Sequence, residues 1–165
     1  MGNLATPEAL IARWDELCRD SSLRNLPYKV ELNARGKMEL TPLTTRRGLL
    51  VASLAYELHR QLSGGVALIS CGVLTNAGVR VADVAWASHG LMAIYSDAML
   101  FECAPEICVQ VCTQDGEEEI GAYLAAGAKE VWLVSEQGLI RCFDALGEQG
   151  KSAFPTSITL PPPMK

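Results

Sequence analysis

Two apolar runs, Val81 to Trp86 and Ile107 to Cys112, each carry one polar residue at the centre: Asp83 in the first and Gln110 in the second. Near-continuous apolar runs of this length suit strands covered on both faces, which demands helices over a sheet. A buried carboxylate costs free energy unless it is hydrogen-bonded or bound to a cation. Asp83 therefore reads either as a satisfied structural acid or as a metal ligand on a rigid element. Period-two geometry puts Glu106, Cys108, Gln110 and Cys112 on one face of the second run, opposite Ile107, Val109 and Val111. If the two strands are neighbours, a carboxylate and an amide can face each other.

The rest of the chain supplies the covering layers. Thr6-Pro7-Glu8 is a helix start, followed by Leu10, Trp14, Leu17 and Cys18 at helical spacing. Tyr28, Val30 and Leu32 alternate, as do Met38 and Leu40 beyond Asn33-Ala34-Arg35-Gly36, which predicts a hairpin. Thr44 or Thr45 caps a second helix with Leu50, Leu54, Leu58 and Leu62 along one face, stopped at Gly64-Gly65. Strands are predicted over Val66 to Cys71, Val79 to Ala87, Ile107 to Cys112, Glu130 to Val134 and Leu139 to Phe143. A helix is predicted over Asp115 to Ala126, and an edge strand over Ser157 to Leu160. His89 falls in a loop, and Trp86 and Trp132 in the core. The 165 residues fit one domain, with an N-terminal helix within 1–25 and a tail over 155–165. The expected fold is α/β: a mixed central β-sheet flanked by helices.

Charge and cysteines exclude several functions. Residues 1–60 hold nine Lys or Arg against seven acids, and residues 61–165 hold five against twelve. The net charge of -5 leaves no basic stripe, so strong non-specific nucleic-acid binding is not expected. The uncharged stretch Gln61 to Val79 contains four glycines and does not suit a lipid-spanning helix. No basic segment followed by an apolar run opens the chain, so a cytoplasmic location and reduced thiols are expected. Cys103, Cys108 and Cys112 lack a knuckle spacing. On a strand, Cys108 and Cys112 would lie about 13 Å apart, too far to share one zinc ion.

Three segments carry a resemblance. Val79-Arg80-Val81-Ala82-Asp83-Val84-Ala85-Trp86 is similar to the Val-Arg-Val-Pro-Asp-Val-Ala run of the Uma-two family, restriction-endonuclease-like proteins of the PD-(D/E)xK nuclease superfamily. Ala104 to Val111 resembles that family's Ala-Pro-Asp/Glu-Leu-Val-Val-Glu-Val run. Tyr123 to Val134 resembles its Tyr-x-x-x-Gly-Val-x-Glu-Val-Trp-Leu-Val segment. The Tyr28 to Leu40 hairpin and the Arg47-Gly48 helix start are similar too.

The resemblance implies a restriction-endonuclease-like core and Mg²⁺- or Mn²⁺-assisted hydrolysis of DNA phosphodiesters, in which the ion polarises phosphate and activates water. It implies catalytic and metal-ligating positions at Asp83 and Gln110, and a catalytic position at Glu119. It also implies an assisting acid on an early helix, for which Glu57 stands if it is not simply a solvated helix acid. Glu106, on the Gln110 face, is a substitute metal ligand, although the family often carries an acid there without a catalytic role. The sequence departs from the family pattern at four of the places that matter. Ala82 stands for Pro, Gln110 for the strand Glu, Glu119 for the helix Lys, and Arg47 for a His. A neutral amide gives no charge to a hard cation. Two functions follow: a protein with lost or weak nuclease activity acting through interaction or regulation, or an active Mg²⁺-dependent endonuclease with a rearranged site. A homodimer is expected in either case. In the first, the Gln110 amide is expected to donate to Asp83 and satisfy it without metal.

Overall fold

The computed structural model describes residues 2–111 and 116–164. Helix α1 (Pro7–Arg19) begins where Thr6 accepts a hydrogen bond from the Ala9 N–H, and it buries Leu10, Trp14 and Leu17. A 3₁₀ turn at Ser21–Leu23 leads to the hairpin β1 (Tyr28–Asn33) and β2 (Met38–Pro42). Helix α2 (Thr45–Gln61) is capped by Thr44, which accepts from the Arg47 N–H. Then follow β3 (Gly65–Thr75), β4 (Gly78–Ser88), α3 (His89–Tyr95), β5 (Ile107–Val111), α4 (Glu117–Ala125), β6 (Glu130–Val134), β7 (Ile140–Asp144) and β8 (Gly147–Gln149).

Among the described residues these strands form one eight-stranded mixed sheet, ordered β2-β1-β4-β5-β6-β7-β8, with β3 also paired to β4. Among the described strands only β5 and β6 pair in parallel. Three clusters fill the core. One packs Leu50, Leu54 and Leu58 of α2 on Val84, Trp86, Val109 and Trp132. A second packs Tyr123 of α4 on Ala82, Cys108 and Val131. A third holds α1 against Leu32, Val79 and Val81.

The topology around β4 makes the site. β3 pairs with β4 from Gly65 opposite Ser88 to Thr75 opposite Gly78, with one break at Ser70 and Asp83. The other edge of β4 is shared. β1 pairs only at Val79 and Gly78, and β5 only at Val84, Ala85 and Trp86. Gly78 permits the first junction: its φ is +111° and a Cβ there would collide with the Leu32 carbonyl. Between the two junctions, residues 80–83 have no strand partner on that edge among the described residues.

Several boundaries differ from those predicted. β3 is longer than Val66 to Cys71, because it follows β4 to the end of the hairpin. His89 opens a helix rather than a loop, since Ser88 accepts from the Leu91 N–H and caps it. Among the described residues, Ser157 to Leu160 is not a strand. Ile158 and Leu160 pack on the α2 core instead, and the sheet edge is β8. The Cys112 end of the fifth strand and the Asp115 start of the helix lie outside the described residues, as does Cys112 of the considered zinc set. Cys103 is exposed and Cys108 buried, and no metal-like His/Cys/Asp/Glu cluster occurs among the described residues.

Candidate active site

Backbone groups on the unpaired stretch of β4 must be satisfied by something other than a strand. Side chains do it. The Val81 N–H donates to Glu31 Oε2 at 2.9 Å. The Val81 carbonyl accepts from Lys29 Nζ at 3.1 Å and from Gln110 Nε2 at 3.2 Å. On the β5 side, the Val111 N–H donates to Asp83 Oδ2 at 2.8 Å. The gap between β1, β4 and β5 is thus stitched by Glu31, Lys29, Gln110 and Asp83.

Asp83 reaches this gap through an irregularity. The β3–β4 register skips the Ser70 and Asp83 pair, and Ser70 has φ +56°. Val84 packs under α2, and Asp83 also bonds a residue of α2, Arg47. A regular pleat would send consecutive residues to opposite faces. The kink gives the carboxylate access to α2 while keeping it 5% exposed.

Asp83 Oδ1 accepts from Arg47 Nη1 at 2.8 Å and from Lys29 Nζ at 3.3 Å. Gln110 Oε1 accepts from the same Lys29 Nζ at 3.0 Å. Its amide nitrogen donates to the Tyr123 hydroxyl at 2.6 Å as well as to Val81. Exchanging the amide atoms would face Nε2 toward the ammonium, so Lys29 fixes the orientation. Burial pushes the Tyr123 hydroxyl well above its usual pKa, with Cys108, Glu31 and Asp83 adding to it. The hydroxyl is therefore neutral where Gln110 meets it.

The structure brings Asp83 and Gln110 to one cation, but not in the way expected. The amide does not donate to Asp83. Two cationic side chains and a backbone N–H satisfy the carboxylate, leaving the amide to bond Val81 and Tyr123.

Glu57 does not come to the site. Ten residues beyond Arg47 on α2, it lies about 15 Å along the axis, and its Oε2 accepts from Arg60 and Gln61. Glu106 does not come either. It stands four residues before Gln110, about 13 Å along the strand, where it accepts from the Ser88 N–H. Glu119 stays on the margin, 3.7 Å from Arg80 Nη2, and its Oε2 is buried without a hydrogen-bond partner among the described residues. Burial works against the Arg80 charge, but the Glu31 and Glu39 carboxylates outweigh it and raise the pKa.

Sequence reasoning missed Lys29, Glu31 and Tyr123 as members of the site. It treated Arg47 only as a replaced His. Arg47 had a signal: positions 47, 50, 54 and 58 form the buried stripe of α2, so a guanidinium begins an apolar face. Lys29 had none, because alternation alone cannot tell a solvated charged face from an enclosed one.

The donor set does not fit a divalent ion. Lys29 Nζ is surrounded by Gln110 Oε1, the Val81 carbonyl, Asp83 Oδ1 and, at 3.6 Å, Glu31 Oε1. Those separations suit an ammonium, whereas Mg²⁺ needs oxygens near 2.1 Å in octahedral array. An ion at this place would have to displace Lys29 and overcome Arg47.

Comparison with known proteins agrees with the fold. No curated protein matches the chain. A crystal structure titled a "putative nuclease belonging to DUF820 from Anabaena variabilis ATCC 29413" superposes with a TM-score of 0.55 at 14% identity, over 70% of this chain and 76% of that one. At that identity the likeness concerns the fold. The model of the Uma2 family, described as "Putative restriction endonuclease", matches residues 14–160, and the chain belongs to that family.

Proposed function

We propose that this chain is a restriction-endonuclease-like protein that has lost metal-dependent phosphodiester hydrolysis and acts by binding. One observation carries the reading: the Lys29 ammonium lies between Asp83 and Gln110, the positions from which the family resemblance would draw a metal. Arg47 takes a second position on the same carboxylate. With a neutral amide at 110, the pair supplies one negative charge, and two cations already hold it. Hydrated Mg²⁺ gives up water reluctantly and needs more charge than that. At the position where the resemblance expects a Lys to steady developing phosphate charge, the chain carries Glu119, an acid that lies at the margin of the site beside Arg80. A single domain, a cytoplasmic location and a dimer complete the reading, and light scattering of the purified chain tests the dimer.

The test is calorimetric titration with Mg²⁺ and Mn²⁺ beside a plasmid-nicking assay. We expect Mg²⁺ affinity no better than millimolar and no nicking. Metal-dependent nicking that disappears in Asp83→Ala would establish the other reading, an active endonuclease.

A further inference from the structure

A cavity of about 440 Å³ opens onto the cationic side of the site, a size typical of small-molecule pockets. Its walls include Trp14, Tyr28, Leu43, Val51 and Ile69. Three of these, Tyr28, Leu43 and Ile69, remain substantially exposed at the rim. Of the charged residues lining it, two are cations, Lys29 and Arg47, and one is an anion, Asp83. A groove that tracks a phosphate backbone would show the reverse pattern, with basic residues at the rim.

Lys29 is already enclosed by oxygens, but Arg47 is not. Its side chain is 9% exposed, and among the described residues its guanidinium makes one hydrogen bond, to Asp83. A guanidinium carries five N–H donors in a planar fork. The remaining donors are available to an anion at the cavity floor, in the bidentate geometry that carboxylates and related anions accept.

Gly48 adds a separate observation. It lies inside α2, on the cavity wall, and a Cβ built there would meet nothing within 4 Å. Glycine weakens a helix relative to alanine, and no neighbour at this position requires it. What it leaves is open volume beside Arg47.

We propose that this cavity is a binding site for a small apolar molecule carrying one anionic head group, the head on Arg47 and the body against Trp14, Tyr28 and Ile69. The proposal rests on the reading above, in which cationic side chains rather than a metal hold Asp83.

Two fluorescent probes test it on the full chain: 1-anilinonaphthalene-8-sulfonate and its headless analogue N-phenyl-1-naphthylamine. The sulfonate is expected to bind saturably at one site, about tenfold or more tighter than the neutral analogue. Arg47→Met should reduce sulfonate affinity to that of the analogue and leave the analogue unchanged. Gly48→Leu fills the cavity from a helix that tolerates leucine better than glycine. It should abolish binding of both probes with the melting temperature kept or raised. Equal affinity for the two probes, or sulfonate binding that survives Gly48→Leu, would overturn the site. Competitive displacement of the sulfonate by a short single-stranded oligonucleotide would overturn the small-molecule occupant. Metal binding and nicking are read independently by calorimetry and plasmid assay, so a failure of the function proposed above is distinguishable from a failure of this site.

Discussion

The two halves of the edge that β4 turns toward β1 and β5 solve one problem in opposite ways. At Val84, Ala85 and Trp86 the edge pairs with β5, its backbone is satisfied by a strand, and the side chains are apolar. Between residues 80 and 83 the edge has no strand partner among the described residues, and charged and amide side chains bond the backbone instead. A gap in a ladder obliges polar side chains to enter the interior. Once there, they must satisfy one another. The paired half needs only shape and hydrophobicity, while the gapped half needs matched charges.

The gapped half is most vulnerable at Asp83. Asp83→Ala leaves Arg47 and Lys29 facing each other without their shared carboxylate. Removing one partner of a buried ion pair costs about 3–5 kcal/mol. Urea unfolding should show a loss of that order, and Lys29→Met in the same chain should return much of it. Simple addition of the two single losses would mean that the residues are not coupled.

In the paired half, Leu54→Ala should cost about 2–5 kcal/mol, since Leu54 is fully buried in the α2 cluster. This loss should be flat between pH 5 and 8, because no titratable group is touched. A pH-dependent loss would show that the two halves are not separate.

Gln110→Glu sharpens the comparison. It sets a carboxylate oxygen against the Val81 carbonyl, in place of the donor now there, and adds a negative charge beside Asp83. Loss of about 1–3 kcal/mol at pH 7 is expected, softened by attraction to Lys29. Burial and Asp83 would raise the folded pKa of that Glu. The penalty is then complete above the folded pKa and recedes as pH falls through it toward the unfolded value. Thermal melts from pH 7 to 4.5 check this, and a penalty that grows on acidification would contradict it.

The smallest effect concerns the thiols. Burial pushes Cys71 up to about 12 from 9.0. It pushes Cys142 up to about 11, with Glu130 and Glu148 assisting. Their unfolded forms ionise first, so the stability they contribute is present below pH 9 and declines as pH rises toward those values. At pH 8, alkylation mapped by mass spectrometry should label exposed Cys103 well before Cys71, Cys108 or Cys142. Equal labelling would mean that the sheet opens locally.

Much of this was legible from the residues. A cap at Thr6, a second at Thr44 or Thr45, the leucine stripe of α2 and the alternation of β1 are local patterns, and local patterns fix local structure. Asp83 and Gln110 stood out because each interrupts an apolar run. Arg47, one turn ahead of Leu50 on the buried stripe, carried a signal that was passed over. The acids Glu57 and Glu106 stayed open as alternatives in one dimension. The structure removes them because helix and strand rise carry them well over 10 Å from the gap.

The sequence by itself determined that a carboxylate and an amide would be buried on strands, because periodicity reports burial. Only the tertiary structure decided what would meet them. Lys29 is separated from Asp83 by 54 positions and from Gln110 by 81, and Arg47 is separated from Asp83 by 36. Lys29 and Gln110 converge because β1 and β5 share one edge of β4, and Arg47 joins them from the first turn of α2. The charge that fills the remaining space is a property of that gap, which no local stretch of the chain encodes.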